Sequence, residues 1–288
     1  MLEKGLSPNS IEAYQDDVNK LHSWVQEIKK DQLPQDIRYD DLSEFVQWLP
    51  AQGLGAKSQA RIISGIRAFY KYLVIEDIIQ DDPTELLESP KLRRKMPDVL
   101  SVQEVEQILA VIDLSQAHGQ RNRAILETLY ACGLRVSELI NLRLSQYFPD
   151  LGVIRVIGKN NKERMVPIGR NAIVHIEYYI GHVRNHLPKI QPGHEDFIFL
   201  NRRGKKLSRI MIFMMIKDSV AKAGISKKVS PHTFRHSFAT HLMEGGADLK
   251  SVQDMLGHES IMTTEIYTHL DTHYLRDTIM RHHPQNKK

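Results

Sequence analysis

The chain has 288 residues, of which 41% are hydrophobic and 26% charged, a composition that excludes a disordered or collagen-like chain and leaves room for two domains with separate cores. Its net charge of +4 hides an asymmetry, because residues 1–96 carry 13 Lys and Arg against 16 Asp and Glu while residues 97–288 carry 26 against 19. The C-terminal part is therefore basic and fits a polyanionic partner. Cys132 is the single cysteine and cannot close an intramolecular disulfide, and the sequence shows neither a signal segment nor a long charge-free apolar run. A cytoplasmic protein without a membrane span is expected.

Ser7-Pro8 offers a cap residue with proline at the first helical position, and Ile11, Tyr14, Val18, Leu21 and Val25 follow at helical spacing. Asp41 to Leu49 predicts a second, short helix and Lys57 to Glu76 a long third, while Asp81-Asp82-Pro83 predicts one further helical turn. At roughly 100° per residue, Arg61, Arg67 and Lys71 fall within about 80° of Lys57, and Ile62, Ile63, Ile66, Phe69, Tyr70 and Leu73 gather on the opposite side. One face reads as core and the other as a basic stripe suited to backbone phosphates, although many surface helices carry a charged outer face. Residues 89–97, with Arg93, Arg94 and Lys95 between Pro90 and Pro97, read as a basic interdomain linker, either a solvated tether or a segment that lies close to a nucleic-acid backbone and adds phosphate attraction through those three residues. The expected domains are thus 1–88, all helical, and 98–288.

Ser101-Val102-Gln103-Glu104 is a capping-box pattern that starts a helix through Ile112. Arg121 to Cys132 predicts a second helix stopped at Gly133, with Cys132 and Arg135 expected on one helix face and Cys132 as a packing residue. A third helix begins around Val136. The periodicity then changes, and residues 153–157 and 164–168 flank Gly158 to Lys162 as a hairpin with an Asn-Asn turn. Phe197 to Leu200 predicts a short strand, and the remainder reads as helices. The fold class is mainly α, with a small antiparallel sheet in the C-terminal domain.

Tyr267 lies nine residues after His258 and immediately before Thr268-His269. Upstream stand Gly133-Leu134-Arg135-Val136-Ser137-Glu138, the hairpin lysines Lys159 and Lys162, and His232 three residues from Arg235 on one predicted helix. Breaking a phosphodiester by transesterification needs a nucleophilic oxygen, cations where charge builds on the phosphate, and a proton donor for the departing oxygen. Tyrosine, arginine and lysine supply these roles without a metal. The spacing of His232, His236 and His241 also permits a zinc site. Against it, no glutamate sits between the first two histidines, and Arg235 points from the same face. Spacing alone does not choose between Lys159 and Lys162, and Glu138 could form a plain ion pair with Arg135.

The segments Gly133 to Leu139, Gly158 to Arg164, His232 to Leu242, Leu256-Gly257-His258 and Tyr267-Thr268-His269 resemble the active-site motifs of the tyrosine site-specific recombinases. Their wording is most similar to that of the bacterial Xer recombinases, and Lys4 to Ile11 extends the resemblance to the N-terminal part. The resemblance implies Tyr267 as nucleophile, Lys159 as the acid for the leaving oxygen, and Arg135, Arg235 and His258 on the transferring phosphoryl group. His232 would assist proton movement, Glu138 would support Arg135, and Lys57, Arg61, Arg67 and Lys71 would clamp duplex DNA. It further implies no cofactor and a synapse of about four protomers, homotetrameric or shared with a second Xer-like recombinase. The expected role is resolution of chromosome dimers at a dif-like site, with an FtsK-type DNA translocase as a possible partner. A phage or transposon integrase would share the chemistry, a type IB topoisomerase would use similar residues without synapsis, and a non-catalytic DNA-binding protein would lack the set. Tyr274-Leu275 to Ile279-Met280 has the spacing either to dock on a neighbouring protomer or to cap its own core.

Overall fold

The computed structural model describes residues 8–29, 32–91, 98–158, 161–257 and 269–286, and the chain divides into two units, Met1–Lys95 and Met96–Lys288. In the first unit, α1 (Pro8–Trp24) continues as a π turn, Val25–Lys29, and is followed by α2 (Tyr39–Trp48) and α3 (Ala56–Ile75). The apolar face expected of α3 is the buried one: Ile62, Ile63, Ile66, Tyr70 and Leu73 pack with Trp24, Leu42 and Phe45. Trp24 meets Phe45 edge-on at 5.7 Å between ring centroids, a favoured aromatic geometry.

Gly65 sets the approach of α1 to α3, because a methyl group there would stand 2.5 Å from Asp17 Oδ2. Asp17 is 1% exposed, and Arg61 of the expected basic stripe reaches it with Nη1 at 2.8 Å and Nη2 at 2.7 Å. Residues 81–86 form turns rather than the expected helical turn, because the Asp82 carboxylate accepts from the backbone N–H and hydroxyl of Thr84 and closes a local turn of its own.

The second unit opens with α4 (Val102–Ala110), whose capping box pairs Glu104 N with Ser101 Oγ at 3.1 Å and Ser101 N with Glu104 Oε2 at 2.7 Å. The central helix α5 (Ala117–Cys132) starts four residues before the expected position and is buried along its whole second half. Gly133 ends it with φ of 57°, and a side chain there would meet the Phe238 ring at 2.4 Å, so both backbone conformation and space demand glycine. Arg135 follows as the residue preceding the short α6 (Val136–Ile140). Cys132 and Arg135 therefore belong to different helices and share no face, contrary to the sequence expectation. Cys132 is fully buried, and burial pushes its thiol upward, which leaves it a packing residue.

Three strands, β1 (Tyr147–Phe148), β2 (Val153–Ile157) and β3 (Glu163–Pro167), form an antiparallel sheet in chain order, with Val156 opposite Arg164. The expected strand at Phe197 to Leu200 is buried but makes only single bridges, Arg143 to Phe197 and Leu200 to Lys206. Its Leu200 N–H is taken by the Tyr179 hydroxyl at 3.1 Å instead of a ladder partner, and a tight turn capped by Asn201 Oδ1 follows at once.

Helices α7 (Arg170–His182) and α8 (Arg209–Lys222) complete the main core against α5. The terminal helices α9 (Pro231–Glu244), α10 (Leu249–Leu256) and α11 (His269–His282) share a smaller one. There Leu275 and Ile279 join Phe238, Leu242, Val252 and Met255, so of the two roles open to this segment the structure displays the capping of its own core. Among the described residues no helix is long and apolar enough to cross a membrane.

Candidate active site

Glu138 is the hub of the second unit's charged centre. Its side chain is 2% exposed, and both carboxylate oxygens are occupied. Arg164 approaches them as a bidentate fork, Nη1 to Oε1 at 2.9 Å and Nη2 to Oε2 at 3.0 Å. Arg135 adds its Nη1 to Oε1 at 2.8 Å and its backbone N–H to Oε2 at 2.8 Å, while Arg235 Nη1 lies 3.9 Å from Oε2. Burial alone would raise this carboxyl, but the bonds and charge of Arg164, followed by those of Arg135, hold it below the usual carboxylate range.

The same three guanidiniums close the C-terminal end of α10. Arg164 Nε donates to the Met255 carbonyl at 2.8 Å, Arg235 Nη2 to Leu256 at 2.5 Å and Arg135 Nη2 to Gly257 at 3.0 Å. A helix ends in carbonyls without intrahelical partners and with a negative partial charge, so three arginines in register satisfy both needs. Gly257, at φ of 62°, turns the chain out of α10 immediately before His258. Arg235 also bonds the Gly133 carbonyl at 2.8 Å, which ties α9 to the turn that presents Arg135.

Three cations around one carboxylate leave an excess of positive charge in a partly buried place. Burial, and next the neighbouring Arg135, push the Arg235 guanidinium down to about 10, yet it stays protonated at neutral pH. Such a centre stabilises an incoming anion, and its fork-shaped donors match phosphate. Beside it opens a groove of about 440 Å³ bordered by Arg135, Arg143, Arg155, Gly158 and Phe197.

Residues 98–273 match the model of the phage integrase family, and residues 1–77 match that of the phage integrase N-terminal SAM-like domain. The tyrosine recombinase XerD of Staphylococcus saprophyticus is 44% identical over 99% of this chain and 95% of its own, and that of Staphylococcus aureus is 45% identical with the same coverage. The chain is a tyrosine recombinase of the phage integrase family. Among solved structures, XerA recombinase is 30% identical, covering 99% of this chain and 95% of that one, with a TM-score of 0.52. The fold is also that of the Tn1549 transposon integrase in complex with a circular intermediate DNA, at a TM-score of 0.74, 19% identity and coverage of 89% and 88%.

The recombinase brings Arg135, Glu138 and Arg235 together as described. His232 is exposed in the first turn of α9, one turn from the buried Arg235, and among the described residues no hydrogen bond joins it to the cluster. Lys159, His258 and Tyr267 lie outside the described residues, as do Arg93, Arg94 and Lys95. His241 is buried with Nδ1 2.8 Å from the Tyr130 hydroxyl, and among the described residues no group of three His, Cys, Asp or Glu side chains converges as a metal site would need.

Sequence reasoning missed Arg164. The signal was present, since Arg164, Val166 and Ile168 alternate along β3 and beyond it onto one face. Arg164 is 9% exposed beside two fully or nearly buried apolar neighbours, which is a rare position for an unpaired cation.

On α3, the four stripe residues divide by environment. Lys57 and Lys71 are exposed, Arg61 is held by Asp17, and Arg67 donates to the Leu87 carbonyl and to Ser89 Oγ at 3.4 Å. Replacing Lys57 and Lys71 with alanine is expected to lower DNA affinity and flatten its salt dependence by roughly 0.9 per lost phosphate contact, with the melting temperature unchanged. Arg61→Ala is expected to cost about 1–3 kcal/mol of stability by leaving Asp17 buried without its partner. Titrations of DNA binding against salt, paired with thermal melts, check both outcomes.

Proposed function

We propose that this recombinase exchanges strands between two copies of a specific DNA site, within a synapse of about four protomers. The Tyr267 hydroxyl attacks the scissile phosphorus, the bond to the 5'-oxygen breaks, and a 3'-phosphotyrosine forms. His232 accepts the proton that the tyrosine loses, and Lys159 supplies one to the departing 5'-oxygen, so charge and protons balance. Arg135, Arg235 and His258 stabilise the phosphoryl group, with Glu138 holding Arg135. A 5'-hydroxyl from the partner duplex then reverses the step. One phosphodiester replaces another of similar energy, so strand transfer calls for no ATP and no redox cofactor.

The observation that carries this reading is the cluster of Arg135, Arg164 and Arg235 around Glu138, capping the helix that leads into His258 and Tyr267. The full-length similarity to XerD proteins further supports a chromosomal role: resolution of dimers at a dif-like site, alone or with a second recombinase, and with an FtsK-type translocase as activator. Mapping covalent protein–DNA adducts in cells tests it. Adducts at one short chromosomal sequence are expected, whereas adducts at the ends of a mobile element would favour an integrase.

Cleavage of a nicked duplex carrying that site is expected to proceed in excess EDTA, because side-chain cations take the place of an ion. Strict dependence on added zinc or magnesium would reinstate the metal reading of His232, His236 and His241.

A further inference from the structure

We propose that Arg164 is a positioning residue for strand cleavage, a clasp that sets Arg135 through Glu138 and sets the end of α10 through the Met255 carbonyl. The inference rests on the roles proposed above for Arg135 and Arg235. Its three nitrogens are all directed inward, two to Glu138 and Nε to Met255. With all three nitrogens engaged by Glu138 and Met255, it is poorly placed to meet a phosphate itself. What it can do is hold the groups that meet one.

The clasp joins three segments far apart in sequence. Arg164 sits at the base of the hairpin that carries Lys159, where the Gly158 N–H bonds the Lys162 carbonyl at 2.8 Å. Through Glu138 it grips the start of α6, where the carboxylate takes both the backbone and the side chain of Arg135. Through Met255 it grips the last turn of α10, where the next two carbonyls hold Arg235 and Arg135. Gly257 lies directly against its guanidinium, since a methyl group there would stand 3.1 Å from Arg164 Nη1 and 3.2 Å from its Cζ. Glu138 without this fork would keep the Arg135 bonds but lose the bidentate contact that fixes the plane of the carboxylate, and Arg135 would lose its orientation with it.

A merely structural residue would affect folding and not the chemistry of the folded protein, so the test separates the two. Arg164→Lys keeps the charge and loses the fork. The double variant Arg164→Met with Glu138→Gln removes both buried charges together and avoids an unpaired carboxylate. Single-turnover formation of the covalent adduct on a nicked duplex at saturating DNA is expected to slow about a hundredfold in both, as a small misplacement of a reacting group does, with DNA affinity within about threefold of the parent. Thermal melts are expected to show a cooperatively folded double variant with a modestly lowered midpoint, because the Met255 carbonyl loses its donor and Arg135 its carboxylate. Parent-like cleavage rates in either folded variant, or failure of both to fold, would overturn the proposal and leave Arg164 a stability element. Arg235→Ala in the same assay keeps the readings apart, because a parent-like rate there points to failure of the active-site assignment and not of the clasp.

Discussion

Tyr267→Phe is expected to abolish the covalent protein–DNA adduct while site binding stays within about twofold, because the substitution removes one oxygen from a side chain and no charge. An unperturbed tyrosine hydroxyl titrates near 10, so attack at neutral pH depends on surroundings that favour the developing phenolate. In the proposed mechanism the arginine cluster is the source of that field: Arg135 and Arg235 bring two guanidiniums to the end of α10 at Leu256 and Gly257, the latter ten residues before Tyr267 in sequence. The measurement is trapping on a nicked duplex followed by denaturing electrophoresis, with peptide mapping of the parent adduct. An adduct of undiminished yield in Tyr267→Phe would place the nucleophile on another side chain.

How far the sequence reaches differs between the fold and the site. Helix faces were legible wherever burial follows a 3.6-residue period, as on α3, where the residues read as core are those that pack against Trp24 and Phe45. Ends were legible where a cap is local, at Ser101 with Glu104 and at Gly133. Two local signals lost to other contacts. Asp82 spent its carboxylate on a turn, and the buried segment from Phe197 to Leu200 found a tyrosine hydroxyl and single bridges in place of a ladder. Within the site, Arg135, Glu138 and Arg235 were legible from motif wording, but the bonds of Arg164 to Glu138 and of the three arginines to the carbonyls of Met255, Leu256 and Gly257 were not. Those bonds span from 21 to 122 positions in sequence, and no periodicity reports them. Likewise the stripe on α3 read as uniform, because nothing local announces that Asp17, 44 positions away, claims Arg61.

Arg235→Ala is expected to reduce the cleavage rate of the bound complex by roughly a hundredfold or more, the loss typical of removing one donor aimed at developing charge, while DNA affinity changes much less. The structure adds a second consequence. Arg235 is 7% exposed and donates to the Gly133 and Leu256 carbonyls, so alanine leaves two inward-facing acceptors unpaired and is expected to cost about 1–3 kcal/mol of stability. Arg235→Lys separates the effects, since it keeps a cation in place but cannot serve both carbonyls and a phosphate with one fixed fork. It is expected to recover much of the stability and little of the rate. In the proposed mechanism a cation that burial and Arg135 disfavour in the free protein is relieved when a phosphate arrives, and most relieved when that phosphate gains charge in the transition state. Single-turnover cleavage at saturating DNA and thermal melts on the three proteins decide the matter. If Arg235→Ala merely weakened binding and the bound complex cleaved at the parent rate, Arg235 would be a docking residue, and stabilisation of the phosphoryl group would have to come from elsewhere.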